Sequence, residues 1–233
     1  MNKDKKNFIK VWDNLWNWDV YANENLRIFK NKDKLRILKE MGLNFKSGQV
    51  ILDGGCGDGQ ALITFIKEFN VRGYGIDISE VALKKAKQNA QKNNTKLDLL
   101  QGDARFLPYE DEKFNGVLSF GVIEHSLHFE EFIREIFRVL KKGGFAVLIQ
   151  PHKYSFGVLY RKILQWQGKW PCGFQFEFSG RSLGEYMTKN GFSNYKYRIE
   201  GPYKDMPKVY PFDHLIRFFY KGWGHYLYLI ATK

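Results

Sequence analysis

The sequence predicts a single α/β domain built on a doubly wound, mostly parallel sheet with an antiparallel C-terminal edge pair. A helical N-terminal cap covers residues 1–46, and a lid over residues 152–178 follows the fifth strand. Three observations predict this. Between Gln49 and Pro151, short apolar runs alternate with helical segments at a spacing that implies right-handed crossovers and a sheet covered on both faces. A glycine-rich turn follows the first apolar run. The chain then closes with "YKYRIE" and "YLYLIATK", whose alternation suits antiparallel strands.

The elements follow in order. "NLWNWDVYANENLRIF" and "DKLRILKEMG" form the helical cap, with Leu35, Leu38 and Met41 at helical spacing and a stop at Gly42. "VILD" is the first strand, and "QALITFIKEF" is a helix with Leu62, Phe65, Ile66 and Phe69 on one face. "GYGID" is the second strand. The helix after it starts at a Ser79 N-cap and keeps Val81, Leu83, Ala86 and Ala90 mostly on one side. "LDLLQGD" and "FNGVLSFG" are strands three and four, "FEEFIREIFRVLKKGG" is an amphipathic helix stopped by two glycines, and "FAVLIQP" is strand five. Residues 152–178 are aromatic and basic without a clean period. Order returns at "SLGEYMTKNGF", where Ser182 and Glu185 are expected to form a capping box and Gly191 to end the helix. Residues 47–233 thus make one domain behind the cap.

Composition narrows the class. A chain of 233 residues with 44% hydrophobic and 27% charged content can bury one good core. No stretch approaches the roughly 20 apolar residues that span a bilayer, and the N-terminus lacks an apolar segment behind its charges, so a cytoplasmic chain is expected. Cys56 and Cys172 have no spacing for a disulfide framework or zinc, and no metal is expected. The net charge of +12 is spread along the chain, as on a solvated basic surface, although it would also favour nucleic acid or an anionic membrane.

The glycine turn carries the chemistry. "VILDGGCGDGQ" places Asp53, Gly55, Gly57 and Gly59 where the first strand meets its helix, the position at which open α/β sheets meet their ligands. A dinucleotide fingerprint would need a third glycine where Gln60 stands, and no phosphate-binding GxxxxGK[ST] is present. Charge argues the same way. Asp53, Asp58, Asp77 and Asp103 ring the strand ends, repelling a diphosphate and welcoming a cation.

Four segments in order carry a family resemblance. "LDGGCGDG", "GIDIS", "QGDARFLP" and "FNGVLSFGVIEH" resemble the successive motifs of class I S-adenosylmethionine-dependent methyltransferases of the small-molecule type, over about residues 45–150. The resemblance implies a Rossmann-like fold with S-adenosylmethionine as cofactor. It implies that Gly55 and Gly57 line the methionine part, that Asp53 organises the turn or reaches the amino group, and that Phe120 offers its carbonyl to the ammonium. It further implies Asp77 on the ribose hydroxyls, Ile78 packed on adenine, Asp103 on the adenine amino group and Ala104 as a backbone contact. Taken singly, each has a plainer reading: Asp77 as a helix cap, Asp103 as the close of a turn, Ile78 as core. The sulfonium explains the ring of carboxylates.

The acceptor is less legible. His125, after strand four, resembles a histidine common at this place in small-molecule members, and it is either a general base oriented by Glu124 or a structural hydrogen-bonding residue. His152 is a second, weaker candidate base. Tyr21 closes over the methionine end or packs among Trp12, Trp16 and Trp18. The [DNS]PP[YFW] motif of base amino methylation is absent after strand four. Pro171 and Cys172 spell the dipeptide of cytosine-C5 enzymes but stand in the lid, where that nucleophile is not expected.

A small aromatic, lipidic or anionic acceptor is therefore expected, held by lid aromatics such as Tyr154, Tyr160, Trp166, Phe174 and Phe176, unless these are the lid's own core. Two alternatives stand beside it. Lysines interleaved with aromatics could track RNA or another macromolecule. Alternatively, the chain is a non-catalytic cofactor-binding or membrane-surface protein, with "FDHLIRFFYKGWGHYLYLI" at an interface. The oligomeric state is not legible.

Overall fold

The computed structural model describes the backbone of residues 3–17, 24–170, 173–201, 210–220 and 222–233, and within these the side chains outside 3–8, 24–29 and 210–214. Helices α1 (Lys3–Asn17) and α2 (Glu24–Glu40) lead into β1 (Val50–Gly54), α3 (Gln60–Phe69), β2 (Arg72–Asp77), α4 (Glu80–Lys92) and β3 (Leu97–Gln101). Then come β4 (Phe114–Phe120), a 3-10 turn Ile123–His125, α5 (Phe129–Val139) and β5 (Leu140–Pro151). The chain ends with α6 (Phe156–Trp166), α7 (Gly180–Lys189), β6 (Asn194–Glu200), α8 (Tyr210–Phe219) and β7 (Tyr226–Thr232).

The strands form one seven-stranded sheet in the order β3-β2-β1-β4-β5-β7-β6. The first five are parallel, and β7 runs antiparallel to both its neighbours. This is the doubly wound, Rossmann-like architecture with its antiparallel C-terminal pair. One refinement concerns β7. Its residues 227–231 are buried without alternation, because the strand sits between β5 and β6 with helices on both faces, and β6 takes the half-exposed edge.

Side chains alternate across the sheet into two cores. On one face α5 (Phe132, Ile133, Ile136) and α7 (Leu183, Met187) cover Val117, Leu148 and Leu229. On the other, α2 (Leu35, Leu38) and α3 (Leu62, Phe65) cover Ile51, Leu118, Val147 and Tyr228. Each large side chain so buried contributes about 1.5–3 kcal/mol, which is why α3 and α5 keep their apolar stripes inward.

Three local expectations give way. α4 does begin at Ser79, whose hydroxyl accepts from Ala82 N, but it buries Ala82, Ala86, Asn89 and Ala90, while Val81 and Leu83 stay partly exposed. Small residues win that face because α4 lies close against the glycine turn, with Ala86 Cβ near Gly59. α5 ends at Val139, before the two glycines: Leu140 already has extended backbone and pairs with Phe114, leaving Gly143 and Gly144 to the irregular start of β5. α7 starts one turn earlier than expected, with Ser179 as its N-cap and Ser182 completing the capping box, so that Glu185 pairs instead with Arg181 at 2.8 Å.

The fold sets up a crevice at the point where the strand order reverses. β1 pairs with β4 only as far as Asp53↔Leu118, but with β2 as far as Gly54↔Ile76, so β1 and β4 part at their carboxyl ends. Among the described residues no helix is long and apolar enough to cross a membrane.

Candidate functional site

The glycine turn lies in that crevice. Gly55, Gly57 and Gly59 have φ of 83°, 53° and 74°, values other residues rarely adopt. Gly55 N and Cys56 N donate to Ile76 O at 2.8 and 3.0 Å, folding the turn onto the end of β2. Asp77 completes the loop: its carboxylate accepts from Gly57 N at 2.8 Å and from Ser79 N at 2.9 Å. Asp77 therefore both shapes the turn and precedes the cap of α4. Cys56 is buried, and burial pushes its thiol well above the ordinary range, which suits a small packing residue and not a nucleophile.

Carboxylates crowd the floor of the crevice. Burial, reinforced by Asp77 and Asp58 and opposed by Lys34, raises the Asp53 carboxyl to about 7. Asp53 Oδ1 has no hydrogen-bond partner among the described residues. Burial also raises Asp77, against the pull of its backbone donors. The counter-charge is Lys34, on α2 and absent from the sequence reading. Its Nζ lies 5.5 Å from the Phe120 ring centroid, and burial holds it down to about 8 while Asp53 and Asp58 pull it up. The floor is thus a cradle with one buried carboxylate oxygen unpartnered among the described residues and, within electrostatic range of it, the Lys34 ammonium, which donates to Asn31 Oδ1 at 3.4 Å.

The other predicted contacts are placed around this floor. Ile78 follows Asp77, and its carbonyl accepts from Gln101 Nε2 at 3.3 Å. Asp103 stands after β3 with its carboxylate held by Arg105, at 2.6 Å from Nη2 and 3.0 Å from Nε, while Ala104 packs on the core. Phe120, at the end of β4, packs on Phe65 of α3, ring centroids 6.1 Å apart. Tyr21 and Trp18 lie outside the described residues, as does Cys172.

Helix α1 closes the mouth. Trp16 packs against Gly57, where an added Cβ would come 2.5 Å from its ring. The Ser79 hydroxyl donates to Asp13 at 2.5 Å, and Lys85 Nζ donates to the Trp16 carbonyl. Trp12 meets the His125 ring edge-on, centroids 4.9 Å apart. One face of α1 thus reaches from the cap of α4 to His125.

His125 sits in the 3-10 turn after β4, its Nδ1 3.3 Å from the Phe174 carbonyl. A carbonyl can only accept, so Nδ1 carries the proton and Nε2 is left as the acceptor. Burial lowers this imidazole to about 4. Glu124 does not orient it: Oε1 is 4.0 Å from Nε2, beyond hydrogen-bond reach, and the Phe174 carbonyl does that work. Glu124 is itself buried, raised to about 8 by desolvation, with Oε2 unpartnered among the described residues. His152 is buried, its Nδ1 3.3 Å from the Tyr154 carbonyl.

Further buried polar atoms without partners among the described residues surround this corner. Ser119 Oγ near the end of β4 and both amide atoms of Gln150 near the end of β5 are two, and Arg161 Nε and Trp170 Nε1 come from the segment above. By strand alternation Ser119 and Gln150 share the face of Leu148. None of the four has a sequence signature as a ligand-binding residue. The lid aromatics divide. Phe178 is buried and Phe176 packs on the core, whereas Tyr154, Tyr160, Trp166 and Phe174 are exposed, so these do not form one enclosed lining.

Comparisons with known proteins identify the family. A family model described as a methyltransferase domain matches residues 45–173, more than half of the chain. The chain is 27% identical over 209 residues to the ubiquinone/menaquinone biosynthesis C-methyltransferase of Bartonella tribocorum, covering 82% of this chain and 76% of that one. It is 30% identical over 139 residues to 24-methylenesterol C-methyltransferase 3 of Arabidopsis thaliana, covering 57% of this chain but only 39% of the plant protein. The chain thus spans well under half the length of that relative. Among solved structures, an S-adenosylmethionine-dependent methyltransferase of Thermotoga maritima shares the fold with a TM-score of 0.64 at 20% identity, covering 97% and 99% of the two chains. A glycine turn, a buried carboxylate cradle and a matching family model lead to one conclusion: the chain belongs to the class I S-adenosylmethionine-dependent methyltransferases.

Proposed function

We propose that this protein transfers the methyl group of S-adenosylmethionine to a small acceptor bearing hydrogen-bonding atoms, in line with the sulfonium. The observation that carries the reading is the buried, partnerless Asp53 Oδ1 beside Lys34. Asp53 would take the cofactor's ammonium, with the Phe120 carbonyl as a second acceptor, and Lys34 would take its carboxylate. Gly55 and Gly57 allow close approach of backbone, Asp77 would receive the ribose hydroxyls, and Ile78, Asp103 and Ala104 would hold the adenine. Tyr21 remains a candidate cover for the methionine end. When bound, S-adenosylmethionine supplies an electrophilic methyl on a positively charged sulfur, so this chain's own task is orientation and, where the acceptor is acidic, proton removal.

His125 is the candidate base: neutral across the physiological range, with Nε2 free to accept. Ser119, Gln150 and Glu124 favour an acceptor with polar atoms near its reacting position, such as a hydroxylated ring, over a plain hydrocarbon double bond, because buried donors and acceptors left unpaired cost about 1–3 kcal/mol each. The quinone-pathway relative fits that preference better than the sterol one does.

The test uses S-adenosylmethionine with a labelled methyl group, incubated with the protein and a cell extract that is then divided into organic-soluble, small aqueous and macromolecular fractions. Label should enter a small-molecule fraction and vanish with Asp77→Ala; label confined to nuclease-sensitive material would overturn the reading. On the acceptor so found, His125→Ala should slow turnover by about a hundredfold with S-adenosylhomocysteine affinity unchanged.

A further inference from the structure

Two helices of this protein are amphipathic in the wrong sense for a globular surface. α6 buries Val158 and Arg161, while Leu159, Ile163 and Trp166, spaced i, i+4, i+7, face outward with Tyr160 beside them. In α8, Leu215, Phe218 and Phe219, spaced i, i+3, i+4, are also exposed, whereas Arg217 turns inward to the Ile199 carbonyl and Glu200. Trp166 is 87% exposed, Phe218 80% and Phe219 79%. Large apolar side chains at such exposure are ordinary singly, but not as stripes on two helices.

The stripes share a root. α6 follows the end of β5, α8 precedes the start of β7, and those strand ends are paired at Pro151↔Tyr226. Gly224 N donates to the Tyr154 carbonyl at 3.3 Å, His152 N to the His225 carbonyl at 2.9 Å, and the Phe156 and Trp223 rings meet at 5.1 Å. Charge around them is predominantly basic. Residues 152–178 hold Lys153, Arg161, Lys162 and Lys169 against Glu177 alone, which is ion-paired with Arg161 at 2.6 Å and Lys162 at 3.3 Å, and residues 210–233 hold Arg217, Lys221 and Lys233 against Asp213 alone. Lys153, Lys162 and Lys169 are exposed.

We propose that the outward faces of α6 and α8 dock onto an anionic lipid bilayer, the apolar side chains entering the boundary between headgroups and acyl chains and the lysines meeting the headgroups. Aromatic and aliphatic residues flanked by lysine are the composition an interfacial helix needs, and the basic surroundings select a negatively charged surface over a neutral one. A protein partner would call for an enclosing shape, which this surface does not offer, and the carboxylates beside it, Glu177 and Glu200, are already paired with Arg161 and Arg217. The inference rests on exposure and charge alone and stands whether or not the methyl-transfer reading holds.

The test is co-sedimentation of the full chain with vesicles of phosphatidylcholine with and without phosphatidylglycerol, at low and high salt. Binding to the anionic vesicles is expected to exceed binding to neutral ones by at least about tenfold and to weaken with salt. Phe218→Ser with Phe219→Ser, and separately Ile163→Ser with Trp166→Ser, should each reduce it by about tenfold or more while S-adenosylhomocysteine binding is retained. A lipid-borne quencher should dim the unaltered protein's tryptophan emission, and less so in Trp166→Phe. Failure of the unaltered chain to sediment with anionic vesicles overturns the proposal. So does binding indifferent to both double substitutions. A dimer dissolved by Phe218→Ser with Phe219→Ser, or an RNA gel shift, without vesicle binding, would assign the surface to a second copy or to nucleic acid instead.

Discussion

The crevice at β1 and the helix that follows β5, α6, follow opposite rules. Around the crevice, local chemistry and burial agree: α3 and α5 turn their apolar stripes into the sheet, and glycines stand where φ is positive. In α6 they part company. α6 buries an arginine and exposes a tryptophan, and Arg161 is tied by Nη2 to Glu177 at 2.6 Å and by Nη1 to the Gln175 carbonyl at 3.1 Å. A sheet can be completed by burying hydrocarbon, whereas the strap above it is held by a charged side chain and has apolar surface to spare. The crevice is built as a core, whereas α6 leaves apolar side chains exposed.

That contrast can be broken by experiment. The largest effect is expected from Asp77→Ala, which strands the Gly57 and Ser79 amides at about 1–3 kcal/mol each and removes the proposed ribose acceptor. Calorimetry with S-adenosylhomocysteine should show affinity reduced by a thousandfold or so, and retention of near-normal affinity would remove Asp77 from the cradle. Next, Arg161→Ala should loosen the strap by about 3 kcal/mol while leaving the sheet intact. Hydrogen exchange would report it at Phe176 N, which donates to the Glu124 carbonyl at 2.7 Å, against unchanged protection in β4 and β5. Uniform loss of protection would mean that the strap belongs to the core after all.

Deleting residues 1–17 should weaken cofactor affinity by about tenfold, because Trp16 no longer covers Gly57. Tighter binding would show instead that α1 obstructs the crevice. The smallest effect is a pH dependence. Glu124, raised to about 8 from an ordinary value near 4.5, binds more protons folded than unfolded between those values, so stability falls as pH rises through that window. Asp53 acts likewise up to about 7, and His125, lowered to about 4, acts oppositely but only below its ordinary 6.5. Between pH 7 and 8, denaturant midpoints should therefore show a loss of about 1 kcal/mol that Glu124→Gln abolishes.

Legibility followed the same divide. The turn could be read because its determinants are adjacent in sequence: a strand, glycines at fixed spacing and a serine that caps the next helix. Lys34 could not, since nothing in "NKDKLRIL" marks one lysine for burial near Asp53. His125 was visible as a residue type at a strand end, but its partner was misread, because Glu124 is adjacent in sequence and Phe174 in space. The capping box moved to Ser179 for a related reason: Ser179 and Ser182 satisfy each other, which a search for a serine followed by glutamate passes over.

What the sequence alone determined was the alternation of strands and helices, the glycine turn, the carboxylates at the strand ends and hence the cofactor, all of them set by short-range sterics and charge. Only the tertiary structure decided that β7 slides inside β6, that α1 lays Trp16 on Gly57, and that Ser119, Gln150 and Glu124 leave polar atoms unpartnered at one corner. It also decided which way the stripes of α6 and α8 face. Periodicity shows that a helix has an apolar side, but the direction of that side depends on what the rest of the chain places beneath it.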